Sequence, residues 1–110
     1  ENISALFDHK RYDLVLNWLK NGLELTDSTI QLIVKSGKLS LYKFLHFREK
    51  LILNEKTMGL AAASGKLKTL RWLREENGCP WDEQTCALAA ANGHLEILKW
   101  LRENGCSWDE

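Results

Sequence analysis

The residues that could do chemistry are three cysteines (Cys79, Cys86 and Cys106), three histidines (His9, His46 and His94) and five tryptophans. Thiols and imidazoles serve as nucleophiles, general bases or metal ligands only when spacing brings the right partners together. No two of these cysteines have the close spacing of a zinc knuckle, and the histidines lie elsewhere in the chain. No Ser–His–acid order is tied to a nucleophile turn, and no glycine-rich phosphate loop is present. An odd number of cysteines in a chain that is not cysteine-dense implies no disulfide framework. A reducing, intracellular setting is therefore expected, cytoplasm or nucleus. The chain is read as no enzyme, with no catalytic, cofactor-binding or metal-binding residue.

Composition bounds the rest. The chain has 110 residues, 45% hydrophobic and 27% charged, which excludes a disordered segment. That length supports one domain and is too short for two ordinary ones. Fifteen Lys and Arg balance fifteen Asp and Glu, so the basic excess of a dedicated nucleic-acid binder is missing. No apolar run approaches the roughly 18 residues of a membrane span. The first residue is Glu1, without a charged-then-apolar leader, so a targeting signal is expected to be absent or trimmed away.

A repeat organises everything else. Gly37, Gly65 and Gly93 are spaced by 28 residues, as are Thr29, Thr57 and Thr85, and Leu32, Leu60 and Leu88. Leu39, Leu67 and Leu95 keep the same step. So does the aromatic slot Phe44, Trp72 and Trp100, each followed by leucine (Leu45, Leu73, Leu101). Arg74-Glu75-Glu76-Asn77-Gly78 carries one glutamate more than Arg102-Glu103-Asn104-Gly105, so Trp108 follows Trp81 after 27 residues. The first copy is fainter: Tyr12-Asp13-Leu14-Val15 parallels Leu95-Glu96-Ile97-Leu98. Four units result, near 1–25, 26–53, 54–81 and 82–108. Asp109-Glu110 copies Asp82-Glu83 and would open a fifth, so a longer array is expected.

Each unit predicts two helices. Thr26, Asn54, Asp82 and Asp109 share one column, and all are residue types that cap a helix N-terminus. An acid follows each time, favourable at the positive end of the helix dipole. The first helix runs about nine residues and ends at the recurring glycine, which tolerates a left-handed turn. The second is expected to be longer and more charged. Its apolar stripe is Leu95, Ile97, Leu98, Trp100 and Leu101 in the last unit. Asn-Gly at 21–22, 77–78 and 104–105 closes it; one unit has Glu49-Lys50 there, and its turn is expected to differ. No run alternates with period two, so the fold class is all-α.

At these residues the chain resembles ankyrin repeats. Thr85-Cys86-Ala87-Leu88-Ala89-Ala90-Ala91-Asn92-Gly93-His94-Leu95-Glu96 is similar to the family's T-P-L-H-x-A-A-x-x-G-H-L-E motif. Gly78-Cys79-Pro80-Trp81-Asp82-Glu83 resembles the short, tryptophan-rich arrays of large DNA viruses of protists and some microbial eukaryotes. The resemblance implies an ankyrin-like solenoid of stacked helix-turn-helix repeats in an intracellular protein, possible settings including an infected host cell. The unit is about five residues shorter than the family's usual one, and the missing residues fall where a β-hairpin finger projects. Shortened or absent fingers are expected.

The tryptophans could stack a sugar or a methylated lysine. Four of them instead occupy columns otherwise held by Phe or Leu, with Trp18 in its fainter equivalent, which marks core positions between repeats. His94 shares its column with Lys38 and Lys66, so nothing singles it out. The second helices carry Lys38, Lys43, Lys66, Lys68, Arg71, Arg74, Lys99 and Arg102, a basic face that could meet polyanions; interleaved glutamates make it a solvated surface instead. The resemblance implies a concave face lined by the first helices. Its columns that vary between units, Ser28/Lys56/Gln84 and Lys35/Ala63/Ala91, are the candidate contacts for a partner protein. The expected function is a monomeric protein-interaction scaffold with no cofactor and no small-molecule substrate. Nucleic acid and membrane are disfavoured as partners; polyanion binding along the outer helices and a passive spacer are the alternatives.

Overall fold

Capping decides where the helices begin. In the computed structural model, which describes residues 3–106, the side chains of Thr26, Asn54 and Asp82 accept backbone N–H bonds from Thr29 (3.2 Å), Thr57 (2.9 Å) and Gln84 (3.0 Å). Each starts a first helix of a hairpin. The elements in order are α1 (Ile3–Asp8), α2 (Tyr12–Lys20), α3 (Asp27–Ser36), α4 (Leu39–Phe47), α5 (Glu55–Ser64), α6 (Leu67–Arg71) continued by a π-helical turn (Trp72–Glu76), α7 (Glu83–Ala91) and α8 (Leu95–Glu103). The described residues contain no strand, and the segments where a hairpin finger would project run from helix to helix without one. The cap expected of Asp109 and the core position expected of Trp108 lie outside the described residues. The chain divides into two compact units, Glu1–Leu51 and Ile52–Glu110.

Within Ile52–Glu110, first helix packs on first helix, α5 against α7. Alanine makes that approach possible: Ala61, Ala62 and Ala89 are fully buried. In both units, second-helix leucines form the centre of the packing. Leu45 in one, and Leu73 and Leu101 in the other, have no exposed surface. The tryptophans expected in the core border it instead: Trp18, Trp72, Trp81 and Trp100 are half-buried. Leu95 also departs from its expected place, being 73% exposed. It heads α8 just after the Gly93 turn, on the side turned away from Ile97 and Leu101.

The extra glutamate of the third repeat has a definite structural fate. Second helices α4 and α8 have nine residues each, no longer than first helices α3 and α5 with ten. The expectation of a longer second helix fails because a left-handed turn stops each one at a set distance. With one residue too many, the helix widens into the π turn after Arg71, the usual way an α-helix absorbs a single insertion. The Cys79 N–H therefore closes on Leu73 O (3.0 Å), six residues back, whereas Cys106 N–H closes on Leu101 O (2.9 Å), five back. Both leucines and both cysteines stay buried. The insertion is absorbed without moving a core column.

The turn at Glu49-Lys50 is the same as its Asn-Gly counterparts, contrary to expectation. Glu49 adopts φ +58°, matching Gly78 (+60°), and Lys50 N–H bonds Leu45 O at 2.8 Å as Cys106 N–H does Leu101 O. Lys10, φ +56°, likewise stands where later units place glycine, with Arg11 N–H on Leu6 O at 2.8 Å. A left-handed conformation costs a residue with a Cβ about 1–2 kcal/mol, partly offset by the greater freedom glycine loses on folding. Glu49→Gly is thus expected to stabilise the protein by about 0.5–1 kcal/mol, a few degrees in a thermal melt followed by circular dichroism. An unchanged melting temperature would mean that the Glu49 side chain makes a compensating contact.

Candidate functional site

Helices α5 and α7 flank an open groove that runs from their starts to just past their middles. Asn54 and Asp82 cap the two helices, which pack on each other, and Gly59 lets them approach. A Cβ at Gly59 would lie 2.9 Å from Leu88 Cδ1, so the leucine rests directly on the glycine backbone. The resulting groove has a volume of about 550 Å³, with Gly59, Leu60 and Leu88 among its lining and Glu55, Lys56, Asp82 and Gln84 around them. That size lies within the range of sites that take a peptide side chain or a small ligand. Among the described residues neither Glu55 nor Lys56 has an ion-pair partner.

Of the six candidate contacts, the structure brings Lys56 and Gln84 together at this groove. Ser28 and Lys35 are exposed on α3, in the other compact unit. Ala91 is exposed at the far end of α7. Ala63 is half-buried, and its carbonyl is engaged by the His94 ring, Nε2 to O 3.0 Å. The groove is also lined by Glu55, Gly59, Leu60, Asp82 and Leu88, which variation between columns does not select. One signal could have found the floor: Gly59 lies in a helix interior, where glycine costs about 1 kcal/mol relative to alanine and marks a close approach.

His94, which its column made unremarkable, has a specific task. Its ring lies against Gly65, where an added Cβ would fall 2.6 Å from His94 Cε1. The glycine, at φ +80°, ends α5, and the His94 ring partners one of the carbonyls that end leaves open. One hairpin is thereby tied to the next.

The aromatic residues are engaged with one another. The Arg74 guanidinium lies 3.9 Å from the centre of the Trp81 ring and donates to Cys79 O at 3.1 Å. Trp100 meets Trp81 edge-on at 5.7 Å. A stacked cation thus already covers one face of Trp81. Arg71 pairs with Glu75 at 3.5 Å, so two of the basic side chains expected on the outer face are occupied within the protein.

All three cysteines are buried thiols. The turn cysteines play equivalent parts: Cys79 Sγ donates to Asn54 O and Cys106 Sγ to Asp82 O, both at 3.5 Å. Each thus holds the backbone of the residue that caps its own hairpin. Burial pushes the Cys79 thiol up to about 11. Burial, with the neighbouring Cys106 thiol, pushes Cys86 up to about 12. A nucleophilic cysteine needs the opposite shift. Among the described residues no group of three or more His, Cys, Asp or Glu side chains could hold a metal ion, and no helix is long and apolar enough to cross a membrane.

No curated protein and no solved structure matches the chain. Residues 60–102, from the middle of α5 to near the end of α8, match the family model for ankyrin repeats (many copies). That match falls on the two hairpins whose first helices pack face to face and whose Gly65–His94 contact joins them. Residues 60–102 belong to the ankyrin-repeat family.

Proposed function

We propose that the chain is a protein-interaction scaffold that binds a partner protein through the face of its first helices, the concave face of an ankyrin stack, and carries out no catalysis. Ankyrin repeats are generally protein–protein interaction modules. The observation that carries the reading is the groove between α5 and α7, where Lys56 and Gln84 stand beside an apolar floor of Leu60 and Leu88. Apolar floors with a few polar groups at the rim are what partner side chains fill. The structural role is separable from contact, since both Lys56 and Gln84 are exposed.

Site-specific photo-cross-linking in cells that make the protein tests this. A cross-linking amino acid replacing Lys56 or Gln84 is expected to give a discrete protein adduct, whereas one replacing Lys99 on the second helices is not. Adducts from Lys99 alone would move the interaction to the outer face and overturn the reading.

A further inference from the structure

The groove has a chemical bias. This step rests on the binding role of the α5–α7 face and names what enters it. Glu55 and Asp82 bring carboxylates to the lining, and Lys56 is the single ammonium there. Glu83 adds another exposed carboxylate in the first turn of α7. One backbone N–H at each helix start is taken up by the Asn54 and Asp82 caps, which leaves the second Asp82 oxygen toward the groove. Acids therefore outnumber bases at this mouth, although the whole chain balances to zero. Beneath the charges, Leu88 seated on Gly59 and Leu60 beside it leave an apolar depression. From this arrangement we infer that the groove takes a peptide segment in which a bulky apolar side chain is followed or preceded by Lys or Arg. The apolar group fills the depression, and the cation meets Glu55 and the free oxygen of Asp82. Lys56, beside Glu55 in sequence, selects against two adjacent cations and favours one.

A random twelve-residue peptide library displayed on phage, selected on the intact protein, provides the probe. Enriched sequences are expected to pair one bulky apolar residue with one Lys or Arg. Affinities of a synthetic peptide from that set are then measured on three variants. Glu55→Lys is expected to weaken binding about two- to fivefold and Lys56→Glu to tighten it by a similar factor, both effects shrinking at high salt. The two residues are adjacent and exposed, so structural damage would lower both affinities; only opposite changes support the charge assignment. Gly59→Ala favours the helix but forces Leu88 outward, and is expected to cost about tenfold or more by closing the depression. Enrichment of acidic or uncharged peptides that still lose affinity in Gly59→Ala would overturn the cationic preference while leaving the groove as the binding face. Peptides indifferent to Gly59→Ala would overturn both.

Discussion

Leu73→Ala is expected to lower the unfolding free energy by about 3–4 kcal/mol, whereas Leu95→Ala should cost no more than about 0.5 kcal/mol. Both leucines belong to the second-helix stripe that the repeat columns define. Leu73 is fully buried, at the point where the widened turn begins to carry the extra glutamate; Leu95 is 73% exposed. Truncating Leu73 removes three buried carbons and leaves a cavity that close-packed surroundings refill only in part. Domains of this size have about 5–15 kcal/mol in total, so a large share of the stability is lost. In a repeat array the loss falls on one hairpin and on its interface with the next. Urea titration followed by circular dichroism measures both variants. Equal costs at the two positions would show that the stripe, and not burial, sets the energetics.

Gly65→Ala is the second large effect, expected at about 2–3 kcal/mol against about 1–2 kcal/mol for Gly93→Ala. Both glycines are left-handed, at φ +80° and +72°, and alanine pays for that conformation at either site, about 1–2 kcal/mol. Only at Gly65 does the new methyl also meet a neighbour, the His94 ring, at 2.6 Å; nothing lies within 4 Å of the corresponding atom at Gly93. The ring must move, and its 3.0 Å bond to Ala63 O is lost, adding about 1 kcal/mol. A double-mutant cycle isolates that part. In a His94→Ala background, Gly65→Ala should cost the same as Gly93→Ala. A persisting difference would refute the role given to His94.

How much was legible in the sequence varied with the range of the interactions concerned. The caps Thr26, Asn54 and Asp82 form with residues two or three places away, and their side-chain chemistry announces them. The glycine turns are equally local. Glu49 and Lys10 were harder, because nothing in glutamate or lysine advertises a left-handed backbone. There the closing hydrogen bonds of the repeat, Lys50 to Leu45 and Arg11 to Leu6, impose the conformation on whatever residue stands at the position. The extra glutamate could be counted from the sequence. Its conversion into a π turn depended on both flanking core columns refusing to shift.

The candidate site was legible only in part. Variation between repeats singles out Lys56 and Gln84, which line the groove, but the groove itself requires two helices from different repeats and a glycine against a leucine 29 residues away. Its acidic rim is hidden in the composition by an even balance of charge.

By itself the sequence determined the helical repeat, its period, its helix starts and the absence of finger strands among the described residues, since these follow from hydrogen bonds and hydrophobic spacing within one turn or one hairpin. Tertiary structure alone decided that His94 seals Gly65, that Leu95 faces water while Leu73 does not, and that the thiols are buried donors to the caps. Those outcomes depend on which surface of one hairpin meets the next, and that surface is set by packing between residues about one repeat apart.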